Sequence, residues 1–214
     1  MELDQVRAGA AETKEGEEVN CNICGWSGKK FREGPRGEKF CPGCGSRSRH
    51  RHMRQAFLQS AKDPVSRVLM VGASNAEVLI YSNEKFTKIV RISGVNPKHG
   101  RIMDLADLKF QANSFSVVHA CHVLEHVEKI REAMHEVYRV LKPGGMAVFC
   151  VPIPRRPKSV MRSKPDKQGH WWLIGENWPG VYELAGFSVE SHAGTKCPSA
   201  LGVKPDNTVH ICRK

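Results

Sequence analysis

The chain has 214 residues, of which 40% are hydrophobic, and a formal net charge of +11; this is enough apolar content for one domain and a small appendage. It contains no run of 18 apolar residues and begins with a polar, acidic stretch, so we expect no membrane span, no signal peptide and a cytoplasmic location. The positive charge favours an anionic partner, such as a nucleic acid, a nucleotide or a phosphorylated sugar, although a merely soluble basic protein fits it too.

Residues 1–19 are predicted to form a disordered acidic tail. They have no apolar periodicity and bury too little apolar surface to offset the entropy lost on ordering. Residues 20–46 contain two C-x-x-C-G motifs, with 16 residues between the second cysteine of the first motif and the first cysteine of the second. Their cysteines are Cys21, Cys24, Cys41 and Cys44. This spacing predicts a ribbon in which four thiolates hold one structural Zn²⁺, or less often iron, and leave no open coordination position. Disulfides are the alternative, and the absence of a signal peptide argues against them.

Residues 47–64 predict a linking basic helix of about Arg47–Ala61, which begins S-R-S-R-H-R-H-M-R. Its apolar positions predict that Met53, Phe57 and Leu58 face the core. The basic residues are interpreted either as a solvated face that holds the ribbon in place or as an anion-binding patch.

The next segments predict the start of a parallel α/β sheet. Ser66–Gly72 contains the apolar run V-L-M-V and predicts the first strand. A short loop then leads to a helix at Ala76–Asn83, and Lys88–Ser93 predicts the second strand.

The clearest periodicity lies between Ser114 and Pro152. It predicts a buried strand at Phe115–Cys121, a helix at about Val127–Leu141 and a second buried strand at Met146–Val151. The sequence K-P-G-G ends the helix, since it combines a cation, a proline and two glycines. A strand, a helix and a strand with short joints predict a right-handed βαβ unit.

This stretch resembles a known family. The sequence N-S-F-S-V-V, followed by H-V-L-E-H-V and E-V-Y-R-V-L-K-P-G-G, is similar to strand four, the next helix and strand five of class I S-adenosylmethionine-dependent methyltransferases. C-P-G-C-G-S-R-S-R-H-R resembles a bacterial subgroup, similar to methyltransferase type 11, that has an N-terminal zinc ribbon. The resemblance implies that residues 65–214 form a Rossmann-like, mostly parallel seven-stranded α/β sheet, and that S-adenosylmethionine is the cofactor.

The resemblance also implies the cofactor-binding residues. They follow the strands of the predicted sheet and are Gly72, Ala73, Ser74, Asn96, Asp104, Leu105, Cys121 and His122. Two positions depart from the family pattern. The first loop has one glycine where three are typical, and Val95 stands where a carboxylate usually accepts hydrogen bonds from the ribose, so that Asn96 is a weaker substitute. Asp104 is expected to hold the adenine amino group, with a turn cap as the alternative.

Three histidines are candidate catalytic residues: His122, His126 and His170. The family places His122 beside the transferred methyl, and a histidine near its ordinary pKa can take a proton from a hydroxyl or an amine. For His126 the alternative is a helix-start residue bonded to backbone. The run H-x-x-E-H also fits an inverted zinc-protease motif, but that motif must lie within a helix, and here it begins at the end of a strand.

The C-terminal part continues the same pattern. The basic, proline-containing segment 155–167 predicts a loop, interpreted as a lid over an anionic substrate or as a solvated insertion. Trp171, Trp172 and Trp178 fit either an aromatic wall or packing under the lid. A helix at Glu176–Ala185 and strands at Phe187–His192 and Thr208–Cys212 complete the sheet, the last expected at its edge. Cysteines outside the ribbon are interpreted as free thiols.

Together these features predict a methyltransferase that acts at oxygen or nitrogen of a small or sugar-like, anionic acceptor. The irregular cofactor loops leave open a degenerate methyltransferase fold that serves as a binding or scaffold protein. The basic ribbon and loop leave open a nucleic-acid-modifying methyltransferase. The chain lacks the N/D-P-P-Y/F motif of enzymes that methylate the adenine amino group.

Overall fold

The computed structural model describes residues 18–35, 37–62, 64–82, 88–152, 154, 156–204 and 207–214. The expected acidic tail therefore lies almost wholly outside the described residues. Within these ranges, no helix has the length and apolar character needed to cross a membrane.

Short strands near the N-terminus are followed by longer strands that alternate with helices. In chain order these elements are β1 (Val19–Asn20), β2 (Ser27–Gly28), β3 (Arg32–Glu33), β4 (Lys39–Phe40), α1 (Ser48–Ser60), β5 (Arg67–Val71), α2 (Asn75–Ser82), β6 (Lys88–Ser93), β7 (Arg101–Ile102), β8 (Phe115–Cys121), α3 (Ile130–Val140), β9 (Leu141–Cys150), β10 (Val160–Met161), β11 (Trp172–Leu173), α4 (Pro179–Glu183), β12 (Ser188–Ala193) and β13 (Thr208–Arg213). β1 pairs with β2 and β3 with β4 in the cysteine-containing segment, and β10 pairs with β11.

A seven-stranded sheet forms the centre, in the order β12-β13-β9-β8-β5-β6-β7. The five strands from β9 to β7 are parallel, whereas β13 is antiparallel to both of its neighbours. The expected Rossmann-like sheet is confirmed. The expectation that the last strand forms the edge is wrong: β13 lies inside the sheet, because its run Val209–Cys212 is fully buried, and β12, with several exposed residues, forms the edge.

The predicted βαβ unit is present with shifted boundaries. Leu124–His126 forms a separate short turn of 3-10 helix, so α3 begins at Ile130 rather than near Val127. After α3 the chain enters β9 at once, and Leu141 pairs with Phe115 before a shift in register. The K-P-G-G turn therefore lies within the range of β9 and not ahead of it.

Helix α1 is sandwiched between the cysteine-containing segment and one face of the sheet. Met53 and Phe57 are fully buried in a core that also includes Val19 and Phe31 of that segment and Val68 of β5. Of the two interpretations of its basic residues, a solvated face does not describe α1, since four of them are buried: His50, Arg51, His52 and Arg54. Leu58, expected in the core, is 46% exposed.

Arg51 joins three segments of the chain from a fully buried position. Its Nε donates to the carbonyl of Leu201 at 2.7 Å, and its two terminal nitrogens donate to the carbonyls of Ser46 at 2.8 Å and Lys39 at 3.2 Å. The guanidinium also lies 3.7 Å from the centre of the Phe31 ring. The planar fork of an arginine suits these diverging acceptors.

Candidate functional site

The four ribbon cysteines converge. One sulfur from each of Cys21, Cys24, Cys41 and Cys44 lies within 4.8 Å of the others. Each pair follows the same turn: Gly25 and Gly45 donate their N–H groups back to the carbonyls of the first cysteine of the pair and have φ of 76° and 71°. Four converging sulfurs are a donor set that fits Zn²⁺, and such a closed set is structural.

A cavity of about 600 Å³ lies beyond the carboxyl ends of β8 and β9. His122 and Glu125 line it after β8, and the segment after β9 lines it at Val151. Glu38 from the cysteine-containing segment and Arg49 from α1 form another wall. The carboxyl ends of parallel strands are where open α/β sheets bind ligands.

Positive side chains outnumber negative ones around this cavity. The cations are Arg49, Arg156, Arg162 and Lys204, and the acids are Glu38, Glu125 and Asp166. The Nε atoms of Arg49 and Arg162 are buried and have no hydrogen-bond partner within the described part of the chain. Because an unpaired buried donor is costly, these groups favour an anionic occupant.

His122 lies between the cavity and a pair of buried cysteines. It adopts a left-handed backbone conformation with φ of 54°, which is uncommon for a residue other than glycine. Its ring and the sulfurs of Cys121 and Cys150 offer ligand atoms within 4.8 Å of one another. The sequence did not reveal this contact, because it depends on the register in which Cys121 of β8 faces Cys150 of β9.

Hydrogen bonds within this group shift the pKa values of His122 and Cys150. Burial lowers the pKa of His122, but hydrogen bonds with Cys150 and Glu125 raise it by more, to about 9. The hydrogen bond from Cys121 is the main cause that lowers the pKa of Cys150 to about 6; burial opposes it, and His122 adds to it. The raised pKa favours the protonated ring of His122, which donates hydrogen bonds, over the neutral ring that a general base needs.

The other two candidate histidines meet above the turn that follows β8. The rings of His126 and His170 lie 4.6 Å apart, although 43 residues separate them in the chain. Trp171 donates its backbone N–H to the carbonyl of Glu125 at 2.9 Å, which fixes the second segment against the first. One ligand atom each from Glu125, His126 and His170 lies within 4.8 Å of the others.

The loop after β5 is braced by a buried acid that sequence reasoning missed. Ser74 donates both its backbone N–H and its hydroxyl to the Glu77 carboxylate, at 2.8 and 2.6 Å, and His119 lies 3.3 Å away on the other side. Burial raises the pKa of Glu77, but His119 and Ser74 lower it to about 2. Arg91 holds the carbonyl of Ala73 at 2.6 Å. These hydrogen bonds stabilise the loop, which has one glycine where three are usual.

The remaining cofactor candidates follow β6 and β7. Asn96 accepts from the backbone of Lys98 at 3.0 Å, and Val95 is 92% exposed. Asp104 is exposed and accepts from the backbone of Ala106 at 2.9 Å, as expected of a turn cap. Leu105 is buried in the core.

The candidate residues lie in two separate places along the carboxyl edge of the sheet. The candidates after β5, β6 and β7 do not line the 600 Å³ cavity, whereas His122 does. Trp172 also lines the cavity, while Trp178 is buried and donates to the Tyr182 hydroxyl at 2.8 Å. Of the tryptophans, Trp172 therefore fits the expected aromatic wall and Trp178 fits packing.

Residues 41–149 match the model of a protein family described as a methyltransferase domain, and this segment is just over half of the chain. The chain belongs to this methyltransferase domain family. The expected resemblance to class I S-adenosylmethionine-dependent methyltransferases is thereby confirmed, together with the expected sheet.

Individual methyltransferases resemble this chain over different fractions of their length. Sterol 24-C-methyltransferase erg6 of Aspergillus fumigatus is 32% identical over 78 residues, which is 36% of this chain and 20% of that protein. The chain thus spans about a fifth of the length of this curated relative. An S-adenosylmethionine-dependent methyltransferase of Mesorhizobium loti superposes with a TM-score of 0.52 at 15% identity, over 74% of this chain and 96% of that one.

A third protein was solved with its cofactor. Phosphoethanolamine N-methyltransferase 2 of Haemonchus contortus, in complex with S-adenosyl-L-methionine, superposes with a TM-score of 0.51 at 14% identity. The superposition covers 76% of this chain and 52% of that one. At these identities the superpositions show a shared fold.

Proposed function

We propose that this methyltransferase-family chain is an active enzyme that transfers a methyl group from S-adenosylmethionine to an oxygen or nitrogen of a small, anionic acceptor. The cavity beyond β8 and β9 carries this proposal, since its cations include two buried arginine nitrogens without partners among the described residues. A methyltransferase of the same fold that acts on phosphoethanolamine is consistent with it.

Two of the candidate cofactor residues, Gly72 and Asp104, support the binding of S-adenosylmethionine. Gly72 has φ of 63°, and a Cβ added there would meet Val123 at 3.1 Å, so the backbone can be approached closely only because a side chain is absent. Asp104 exposes a carboxylate, and Asn96 is the proposed, weaker substitute for a ribose-binding acid. When bound, the cofactor supplies an electrophilic methyl group attached to a sulfonium.

The residues around the cavity would bind and orient the acceptor. Arg49 and Arg162 line the cavity and would bind an anionic group, although Arg162 also lies 3.5 Å from Asp166. His122, whose ring already bonds to Glu125 and Cys150, would add positive charge. His126 and His170 are the candidates for contact with the reacting atom. Orientation of this kind is the main contribution that a methyltransferase makes, because it turns an encounter of two molecules into a reaction within one complex.

Replacing Gly72 with alanine is expected to weaken the binding of S-adenosylmethionine by at least about tenfold, because the added methyl group meets Val123 and the left-handed backbone resists a side chain. Isothermal titration calorimetry measures the effect. Gly144→Ala is the matched control: Gly144 has a similar φ of 75° but nothing within 4 Å, and lies in the turn before the buried part of β9. Absence of heat from the native protein at millimolar cofactor would support a scaffold protein instead.

Replacing Arg162 with glutamine is expected to raise the KM for an anionic acceptor about tenfold, since one charge-assisted hydrogen bond is removed. Formation of S-adenosylhomocysteine, measured with a panel of phosphorylated sugars and small carboxylates, identifies the acceptor and gives the KM. Lys164→Gln removes an exposed cation of the same segment that does not line the cavity, and should leave KM unchanged. Equal effects of the two substitutions would argue against a specific anion site.

A further inference from the structure

We propose that Glu125, His126 and His170 form a binding site for a divalent transition-metal cation, separate from the four-cysteine cluster. The three side chains bring one ligand atom each within 4.8 Å of the others. One carboxylate and two imidazoles suit first-row cations such as Fe²⁺, Co²⁺ and Zn²⁺, which accept nitrogen and oxygen ligands together. Glu125 and His170 also line the cavity, so the site opens toward the proposed acceptor.

The carboxylate of Glu125 has an unused oxygen. Glu125 is 2% exposed, and its Oε1 lies 3.4 Å from Nδ1 of His122. Its Oε2 is buried and has no hydrogen-bond partner among the described residues. A buried carboxylate oxygen without a partner is costly, and a bound cation would remove that cost.

Hydrogen bonds at Nδ1 hold both histidines. Nδ1 of His126 lies 3.1 Å from the carbonyl of Gly169, and Nδ1 of His170 lies 3.2 Å from a carboxylate oxygen of Asp166. These partners only accept hydrogen bonds, so each Nδ1 must carry the proton and donate it. The Nε2 of each neutral ring then has a free lone pair, which is the usual arrangement of metal-binding histidines.

The segment that carries His170 is itself fixed. Asp166 accepts from the backbone N–H groups of Gln168 and His170 at 2.9 and 3.0 Å, so its carboxylate is oriented toward the ring. Trp172 donates its indole N–H to the carbonyl of Val127 at 2.8 Å. The pairing of β10 with β11 holds the same segment from the other side. The ligand arrangement is therefore built into the fold.

Three protein ligands leave coordination positions open, unlike the closed set of four cysteines. A cation here would bind an oxygen of the acceptor and lower the pKa of its hydroxyl, so that the hydroxyl proton is released to water in the cavity. This points to a hydroxyl acceptor, with a vicinal diol as the best chelator. This last step rests on the proposed function, whereas binding of the cation does not.

Equilibrium dialysis of the full chain against Co²⁺, followed by elemental analysis for cobalt and zinc, tests the site. We expect one Co²⁺ per chain in addition to the metal of the cysteine cluster. Glu125→Gln and His170→Gln should weaken Co²⁺ binding at least about 100-fold, and Asp166→Asn about tenfold through the orientation of His170. His135→Gln, an exposed histidine on α3, is the matched control and should bind as the native chain does.

Thermal unfolding separates loss of the site from loss of the fold. Without metal, Glu125→Gln should melt below the native temperature, because it removes the negative partner of His122. Co²⁺ should no longer raise the melting temperature of this variant, whereas it should still raise that of His135→Gln. Undiminished Co²⁺ binding in the Glu125 and His170 variants, or no second metal in the native chain, would overturn the inference. A second metal in a chain that neither binds S-adenosylmethionine nor turns over would sustain it and contradict the proposed function.

Discussion

Replacing Cys41 with serine is expected to release the metal from the cysteine cluster and to lower the free energy of unfolding by about 5 kcal/mol or more. Cys41 is fully buried, and the cysteine-containing segment shares one core with α1 and β5. Loss of the metal would therefore expose Met53 and Phe57 as well as unfold the ribbon. Urea denaturation, with zinc content measured on the same samples, checks this result.

Cys197→Ser is the control for the loss of a thiol. Cys197 is half-buried and belongs to no cluster of ligands among the described residues. We expect its replacement to change the free energy of unfolding by less than about 1 kcal/mol. If the Cys41 variant kept both its zinc and its stability, a structural metal at this cluster would be refuted.

Replacing Arg51 with methionine is expected to lower the free energy of unfolding by about 3–5 kcal/mol, as when one member of a buried charged network is removed. The reason is that the carbonyls of Leu201, Ser46 and Lys39 would all lose their buried donor. Methionine keeps much of the volume of the side chain, so the effect reports on hydrogen bonds more than on a cavity. Urea midpoints at a fixed pH provide the measurement.

Two further arginine variants make this prediction specific. Arg32→Met removes an exposed arginine of the cysteine-containing segment and should lower the free energy of unfolding by less than about 1 kcal/mol. Arg51→Lys keeps the charge but cannot reach three acceptors with a fork, so we expect an intermediate loss. A methionine variant as stable as the native chain would show that Arg51 is not needed to join the ribbon to the sheet.

The periodicity of the sequence was sufficient to predict the central βαβ unit and the type of sheet. Apolar spacing reports which residues are buried, and the stretch from Phe115 to Val151 is buried on a regular period. It does not report strand order, and β13 was therefore wrongly expected at the edge. The burial of Arg51 could not be foreseen either, because it depends on the tertiary contact that brings the carbonyl of Leu201, 150 residues away, to its Nε.

The candidate site was predictable by residue type and only in part by arrangement. The run H-x-x-E-H contained Glu125 and His126, but its protease interpretation needs a helix, and the proposed metal ligand His170 comes 44 residues after His126. A weak signal was present in D-K-Q-G-H, where Asp166 precedes His170 by four residues. Contact between these segments is made through the backbone carbonyls of Glu125, Val127 and Gly169, whose positions a sequence pattern does not give.

The composition of the cavity wall has a consequence for how relatives should be compared. The family match ends at residue 149 and begins at residue 41, yet Glu38, Arg162 and His170 line the cavity from outside that interval. Enzymes alike across the matched interval can thus differ wholly in the compounds they accept. Similarity within the matched interval therefore gives no information on which acceptor this chain selects. Only homologues that also share the flanking segments can be used to compare acceptor selectivity.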